Sequence, residues 1–176
     1  MLDRIHIEHG NINLLLEILL QKARLVEDGG KIDYHLIQDI IHYLQYQADR
    51  YHHPKEDILY HYYLAHYGEN QSIKNLEQEH IELTQLTAEF ADIVDMILLD
   101  SVIPQEIFLQ KLHNFAMRQK AHLQLEEREI FPLLRRDFSP YDWRCVSEQY
   151  QDDIDDPLFG RKVADRYRNL HNYIDI

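Results

Sequence analysis

The sequence predicts an all-α protein whose four long helices form an up-down-up-down bundle. Apolar residues recur at alternating three- and four-residue steps through four segments, which is the period of an amphipathic helix. Only five glycines and five prolines interrupt the 176 residues, so the breaks between segments are few and short. Short connections make neighbouring helices antiparallel. Hydrophobic residues form 45% of the chain, which is enough for one domain with a buried core.

Each predicted helix is bounded by its own turn signals. The first stops at the Asp-Gly-Gly of residues 28–30. The second covers about residues 32–67, and the sequence YGENQS separates it from the third. The third ends before the sequence LDSVIPQE, in which Pro104 marks the start of a new helix. That fourth helix reaches about residue 136.

Residues 1–136 are expected to hold this bundle, and residues 137–176 to form a short helical C-terminal extension. Ser139 and Pro140 are typical of the N-cap and first residue of a helix. We expect the extension to pack on the bundle or on the partner of a homodimer. A final amphipathic helix would bury one side made of Val163, Tyr167, Leu170 and Ile174.

The formal net charge of −13 at pH 7 excludes several classes of partner. A phosphate backbone or an anionic membrane attracts a basic surface, so neither nucleic acid nor a membrane is expected as a partner. No apolar run approaches the ~20 residues of a transmembrane helix. The single cysteine, Cys145, excludes an internal disulfide, and the N-terminal residues lack the apolar core of a signal peptide. These features predict a cytoplasmic protein.

Polar side chains interrupt the apolar side of every predicted bundle helix. Each helix carries one histidine there, and two glutamates each follow a histidine by one turn, on the same face. The interval from the first histidine to the third nearly equals the interval between the two His-x-x-x-Glu pairs, so the chain reads as two similar halves. No lysine or arginine lies on these faces. The candidate metal ligands are His9, His52, Glu56, His80, His122 and Glu126.

A hydrogen-bonded core residue is the commoner role of a single buried histidine. One His-x-x-x-Glu pattern is also expected by chance in this composition, so a single match is weak evidence for a metal. The two buried glutamates decide the question, because an ionised carboxylate in an apolar core costs several kcal/mol unless it is paired or binds a metal. A cation is therefore expected between the helices.

The ligand types select among metals. Four imidazoles and two carboxylates exceed the need of a tetrahedral zinc site, and calcium and magnesium prefer oxygen ligands. Shared between two ions, the set gives each ion two histidines, with Glu56 and Glu126 as bridges. Mixed nitrogen and oxygen ligation with open positions suits iron first, ahead of manganese or zinc. Dioxygen, nitric oxide or peroxide could bind at the open positions.

Four segments, IEHGNI, HHPKED, LEQEH and HLQLEEREIFP, resemble the hemerythrin-like family, specifically bacterial proteins with the HHE cation-binding domain. The resemblance covers about residues 1–136. It implies a non-haem di-iron centre in a four-helix bundle, with the six residues above as ligands and the two glutamates bridging the irons. Oxygen-carrying members have a fifth histidine one turn after the third-helix one, where this chain has Thr84. That difference argues against a simple oxygen carrier.

We therefore expect a protein that binds a diatomic ligand, dioxygen or nitric oxide, for sensing, storage or a response to oxidative or nitrosative stress. Two alternatives stay open. One is a di-iron enzyme or iron donor, which turns over peroxide or nitric oxide or repairs iron–sulfur clusters; the other is a helical interaction module whose metal is structural. Between an enzyme and a binding protein the sequence favours the binding protein. Ferritin-like oxidases carry Glu-x-x-His, whereas this chain has His-x-x-x-Glu twice.

Residues beside the candidate ligands carry further expectations. His53 lies about 100° around the helix from the ligand that precedes it, so we expect it to face solvent together with Asp57. Asp49 and Gln119, each placed shortly before a ligand histidine, are candidates to orient the imidazoles. Pro54 removes a helical hydrogen bond, so we expect a bend in the second helix that sets the aim of the ligands or opens a path to the metal.

Overall fold

The bundle helices lie side by side in the computed structural model, which describes residues 1–149 and 155–174. Turns of only a few residues separate them, so each helix runs antiparallel to the one before. Every regular element in the described residues is helical, which confirms the all-α fold class. The helices are α1 Leu2–Glu27, α2 Tyr34–Gln47, α3 His53–Tyr67, α4 Gln71–Leu98, α5 Gln105–Leu125, α6 Phe131–Asp137, α7 Pro140–Gln149 and α8 Arg168–Ile174.

Two of the four bundle helices contain a π-helical turn. Ala48–His52 joins α2 to α3, and Glu126–Ile130 joins α5 to α6. Pro54 and Pro132 follow these turns, each as the second residue of the next α-helix. A proline has no N–H, and its ring clashes with the carbonyl one turn earlier, so the preceding helical turn has to widen or bend. The bend expected at Pro54 therefore takes the form of a widened turn that ends just before it.

Capping residues set the short connections between the bundle helices. The side chain of Asp33 accepts hydrogen bonds from two backbone N–H groups in the first turn of α2. Asn70 caps α4 in the same way by accepting a 3.1 Å hydrogen bond from the N–H of Ile73. Gly68 ends α3 with a φ of 98°, a conformation that favours glycine. These caps fix where the bundle helices turn back on themselves.

Apolar side chains form two clusters, one toward each end of the bundle. The larger cluster joins α2 and α5 to parts of α1 and α4, and it includes the fully buried Leu16, Ile41 and Phe115. The smaller cluster joins α3 and α6 to the first turns of α1 and α4, and it includes Leu59 and Leu76. The candidate ligands lie along each helix between these two clusters, in a polar layer surrounded by apolar packing.

The C-terminal extension lies on the bundle of its own chain. The phenol groups of Tyr62 and Tyr67 on α3 each donate a 2.7 Å hydrogen bond to Asp142 on α7. Ser139 caps α7 through hydrogen bonds exchanged with Asp142, as the sequence predicts for a helix that starts at Pro140. Farther along, α8 packs against α2. The extension thereby covers the second bundle helix on both sides of its π-helical turn.

The expected boundary between the bundle, residues 1–136, and the extension, residues 137–176, falls in the last turn of α6. This division of the chain stays a prediction. Residues 150–154 and 175–176 of the extension lie outside the described residues. Among the helices that the structure describes, none has the length and apolar character needed to cross a membrane.

Candidate metal centre

The six predicted ligands meet in one layer between the two apolar clusters. α1 and α4 each supply one histidine, and each bundle helix with a π-helical turn supplies a histidine and a glutamate in or beside that turn. None of the six exposes more than 4% of its surface. The structure therefore brings together all the residues that the sequence singled out: His9, His52, Glu56, His80, His122 and Glu126.

Glu56 faces histidines on both sides with different oxygens. Its Oε1 lies 3.0 Å from Nε2 of His9 and 3.4 Å from Nε2 of His52. Its Oε2 lies 3.6 Å from Nε2 of His80. One carboxylate thus presents one oxygen to the pair of histidines from the first two helices and the other oxygen toward the second pair.

Glu126 repeats this arrangement from the opposite side of the layer. Its Oε2 lies 3.4 Å from Nε2 of His9, and its Oε1 lies 3.2 Å from Nε2 of His122 and 3.5 Å from Nε2 of His80. Ligand atoms that share an ion at bond lengths of ~2.1 Å are separated by roughly 3.0–3.4 Å. Four of the six separations fall in this range, so the spacing of these atoms is compatible with metal coordination.

Two of the histidines are held by acids on the preceding bundle helix. Nδ1 of His52 lies 2.8 Å from Glu8, and Nδ1 of His122 lies 3.3 Å from Glu79. An ionised carboxylate only accepts, so Nδ1 carries the proton and donates. Burial opposes ionisation of Glu8, but hydrogen bonds from His52 and Lys55 lower its pKa to about 2. Nε2 of each ring is left with a free lone pair that faces the layer.

The other two histidines are held by acids that directly follow the central glutamates. Nδ1 of His80 donates to Asp57 at 2.7 Å, and Nδ1 of His9 donates to Glu127 at 2.8 Å. Metal-binding histidines in proteins characteristically donate their second N–H to a carboxylate, which fixes the tautomer and the ring orientation. The four acids that hold the histidines are called the outer carboxylates below: Glu8, Asp57, Glu79 and Glu127.

The outer carboxylates recur at the same spacing as the candidate ligands, although they were not predicted from the sequence. Glu8 and Glu79 directly precede the first and third histidines, and Asp57 and Glu127 directly follow the two central glutamates. Each one is therefore the chain neighbour of a candidate ligand. Extending the repeat to the residues on either side of the ligands would have found all four acids, although not which histidine each acid holds.

The buried polar atoms of the layer lack enough partners without a cation. Nε2 of His80 and Nε2 of His122 lie 3.1 Å apart, and with both Nδ1 protons given to outer carboxylates their lone pairs face each other. Among the six candidate ligands, three further buried atoms have no hydrogen-bond partner in the described residues: Nε2 of His52, Oε2 of Glu56 and Oε2 of Glu126. Unpaired buried polar groups are costly. These residues therefore fit a bound metal.

In the metal-free protein, protons take the place of that cation. Burial lowers the pKa of each histidine, but the surrounding carboxylates outweigh it and raise the pKa of His9 and of His80 to about 9, and that of His122 to about 10. Burial in turn raises the pKa of Glu126, but His122, His80 and His9 together hold it well below its usual value. The layer thus keeps an ionised carboxylate beside positive charge, and a metal would displace the protons.

The expectation that His53 faces solvent with Asp57 is wrong. His53 is buried, and one of its potential ligand atoms lies within 4.8 Å of those of Glu56, His80 and His122. The reason is the π-helical turn before it, in which consecutive residues are separated by a smaller angle than in an α-helix, so that two consecutive histidines can point inward. Asp57 does not pair with His53 and instead holds His80.

Asp49 and Gln119 were expected to orient the imidazoles of His52 and His122, but neither residue forms a hydrogen bond with its expected histidine. Oδ1 of Asp49 lies 3.6 Å from Nδ1 of His53, and burial raises the pKa of Asp49 to about 7 despite a hydrogen bond with Thr84. Gln119 donates its amide N–H to Oγ1 of Thr87 at 3.3 Å. Spacing alone could not identify these partners, since they depend on the rotation of one helix against the next.

Tyr60 adds a proton donor inside the layer. Its hydroxyl donates a 2.6 Å hydrogen bond to Oε1 of Glu126, and its side chain is fully buried. Burial and the nearby carboxylates raise the pKa of Tyr60 well above its usual value, so the phenol keeps its proton. This hydrogen bond fixes the position of the Glu126 carboxylate.

Two surface clefts approach the layer from opposite sides. One of about 320 Å³ is lined by His9, Asn13 and Lys120. The other, of about 510 Å³, is lined by Thr84 and Arg50, which occupy the places of Asn13 and Lys120 in the other half of the repeat. The clefts are thus related by the repeat of the chain, but only the smaller one includes a predicted ligand in its wall.

The comparisons with known proteins identify the family. The family model described as the hemerythrin HHE cation-binding domain matches residues 1–134, which span all six candidate ligands and all four outer carboxylates. Comparison with curated proteins and with solved structures gave no match. The matched part covers most of the chain, and its buried histidines and glutamates form groups that could hold metal ions. The chain belongs to the hemerythrin family, as a protein with an HHE cation-binding domain.

Proposed function

We propose that this chain is a non-haem di-iron protein that binds a diatomic molecule, dioxygen or nitric oxide, for sensing, storage or a response to oxidative or nitrosative stress. The observation that carries the proposal is the placement of the two central carboxylates. Glu56 and Glu126 each present one oxygen toward each pair of histidines. Such carboxylates are suited to bridging two metal ions.

The proposed ligands divide into two sets that share the bridges. His9 and His52 would hold one ion, and His80 and His122 the other. Neutral imidazoles and carboxylates without thiolates suit iron better than metals that prefer sulfur or oxygen alone. Manganese and zinc use the same ligand types, so they are the competing occupants that metal analysis has to distinguish.

When bound, two ferrous ions would supply reducing electrons and open coordination positions for a diatomic molecule. The protein itself supplies orientation and exclusion of water. The outer carboxylates hold the imidazoles in the tautomer that turns Nε2 inward, and the two apolar clusters close the layer above and below. Tyr60 fixes one bridge through its hydrogen bond to Glu126.

The cleft beside His9 is the proposed route for the small molecule. Its wall includes Gly10, Asn13 and Leu123, and His9 is the one candidate ligand that lines it. The space beside Gly10 is open, because a Cβ at this position would meet no atom within 4 Å. A molecule of two atoms needs only small movements of such a wall.

We further propose that the protein acts in the cytoplasm. We also propose that residues 137–176 pack mainly on the bundle of their own chain and not on the partner of a homodimer. The hydrogen bonds from Tyr62 and Tyr67 to Asp142 support the second part, since they tie the extension to its own bundle. Light scattering of the full chain tests for a homodimer, and removal of metal during that measurement separates dimerisation from metal binding.

The test of the proposed function begins with the full chain loaded with Fe(II) without oxygen and freed of excess metal. We expect about two irons per chain, and optical bands of an oxo-bridged iron pair after exposure to air. Rapid mixing of the reduced protein with dioxygen and with nitric oxide then separates reversible binding from turnover. One zinc per chain, or no metal, would overturn the proposal and favour a structural role.

A paired variant tests the bridging assignment. Glu56→Ala combined with Glu126→Ala should abolish binding of both irons. Glu82→Ala combined with Glu89→Ala, which removes two exposed carboxylates of α4, serves as the matched control and should leave the iron content unchanged. Retention of two irons by the first double variant would refute the bridging role.

A further inference from the structure

We propose that His53 is a fifth histidine ligand of the centre, joining His80 and His122 on one ion so that the two ions have unequal histidine sets. The proposal rests on the di-iron function proposed above. His53 is not among the six predicted ligands, and it lies on the second bundle helix.

The first support is the position of the His53 ring. One of its potential ligand atoms lies within 4.8 Å of those of Glu56, His80 and His122, and this group shares only Glu56 with the group formed by His9, His52 and Glu56. His53 exposes 3% of its surface. Its Nδ1 is buried without a hydrogen-bond partner among the described residues, and its nearest acid, Asp49, stays 3.6 Å away.

The second support is how the two consecutive histidines separate. In an α-helix they would point about 100° apart, and only one of them could face the layer. The π-helical turn Ala48–His52 lets both point inward. Their ring centroids are 5.7 Å apart, and the His52 ring contacts His9 while the His53 ring contacts His80 and His122. Each of the two groups thus receives one of them.

The third support is a break in the repeat of the chain. The candidate ligands and the outer carboxylates all recur in the second half, but the counterpart of His53, the residue directly after His122, is Leu123. His53 therefore has no histidine counterpart in the second half, although the candidate ligands beside it do. Leu123 lines the cleft beside His9, whereas His53 stands at the matching place in the other half. The half with His53 can therefore fill a coordination position that the other half leaves to an incoming molecule.

Thr84 fits the same arrangement. It lies one turn after His80 but is exposed, lining the larger cleft together with Asp49. The third bundle helix therefore offers no second inward imidazole, and His53 reaches the same group from the neighbouring helix. The consequence is a division of roles: one ion held by three imidazoles, and the other left open toward the cleft beside His9.

The alternative role for His53 is that of a stacked neighbour. Its ring lies nearly parallel to that of His80, with centroids 4.3 Å apart and an interplanar angle of 12°. A ring that only stacks would stabilise the position of His80 without binding an ion. The two roles differ in what happens when the ring nitrogens are removed and the side-chain volume is kept.

The experiment compares the full chain with His53→Leu and His53→Gln, each loaded with iron-57. His53→Leu installs the residue that the other half carries, and His61→Gln removes an exposed histidine of the same helix as a control. Competition with a chelator measures iron retention, and Mössbauer spectra report the environment of each iron. Circular dichroism of the metal-free variants checks folding.

We expect two unequal iron signals in the wild type. In both His53 variants one iron should be lost to the chelator at least about tenfold more easily, and its signal should change, while the other iron is retained. The control should match the wild type. Unchanged retention and unchanged spectra in both variants would overturn the proposal and leave His53 as a stacked neighbour. Two equal iron signals in the wild type would overturn it as well, even if a variant failed to fold. Absence of iron from the wild type would instead refute the proposed function.

Discussion

The carboxylate of Glu8 accepts a 2.8 Å hydrogen bond from Nδ1 of His52. The same relationship recurs in the second half of the chain between Glu79 and His122, at 3.3 Å. The side chain of Glu8 is 8% exposed and that of Glu79 is 25% exposed, so water weakens the second contact more than the first. The orientation of each imidazole thus depends on an acid from a neighbouring helix. The contact of His52 with Glu8 should contribute more than that of His122 with Glu79.

Removal of Glu8 should weaken metal binding more than removal of Glu79. Loss of a carboxylate that orients a metal-binding histidine typically costs 10- to 100-fold in affinity, so we expect about 100-fold for Glu8→Ala and about tenfold for Glu79→Ala. Chelator competition with the iron-loaded chain measures both. Glu27→Ala, at the exposed end of the same first helix, is the control, and an affinity of Glu8→Ala equal to that of this control would contradict the orienting role.

Tyr60→Phe should destabilise the metal-free protein. The change removes the 2.6 Å hydrogen bond to buried Glu126, and a hydrogen bond to a charged group contributes about 1.5–3 kcal/mol. Urea unfolding of the metal-free chains measures the loss. Tyr63→Phe is the matched control, because its hydroxyl donates to Asp137 near the surface and its loss should cost less. An equal loss of unfolding free energy in the two variants would mean that the hydrogen bond to Glu126 stabilises the protein no more than the one to Asp137.

Pro54→Ala should disturb the centre. Alanine at position 54 restores an N–H that can bond to the carbonyl of Arg50, which favours an ordinary α-helical turn and rotates His53 away from the layer. Optical spectra and rates of ligand binding should therefore change. Pro132 is not a neutral control, because Glu126 lies in the π-helical turn before it and the ring of Phe131 stacks on that of His9, with centroids 5.3 Å apart. Unchanged spectra and rates in Pro54→Ala would show that Pro54 and the π-helical turn before it do not position the metal centre.

The metal-free protein should lose stability as the pH rises. Burial alone would lower the pKa values of His9, His80 and His122, but the carboxylates around them raise these values to about 9, 9 and 10 from the ordinary 6.5. Folding therefore favours their protonated forms, so this contribution is complete below pH 6.5 and disappears as the pH passes 9 to 10. Urea midpoints at pH 6.5, 8 and 9.5 measure the trend. The iron-loaded chain should not follow it, and a metal-free protein that is most stable at pH 9.5 would contradict it.

The core and the six candidate ligands could be predicted from the sequence because they follow helical periodicity. Residues such as Leu16, Phe90 and Glu56 sit at three- and four-residue steps, and a straight α-helix brings those positions to one side. That reasoning needs no knowledge of how the helices pack. It also gives the antiparallel bundle, since the short turns leave few other arrangements.

His53 and the outer carboxylates could not be predicted in the same way. A π-helical turn changes the angle between consecutive residues, and the sequence signals it only indirectly through Pro54. The second turn has the same effect: Leu134 is buried, whereas Leu133, three residues after Ile130, is only partly buried. The partner of Glu8 lies on another helix, so its identity depends on the relative rotation and height of two helices. Periodicity within one helix carries no information about either quantity.

Mössbauer spectra of the full chain loaded with iron-57 and exposed to air, recorded with a metal analysis of the same sample, test the proposed di-iron centre most directly. We expect about two irons per chain, magnetically coupled into a diamagnetic pair. A single high-spin iron, a chain filled by zinc, or iron that is lost on desalting would contradict this expectation.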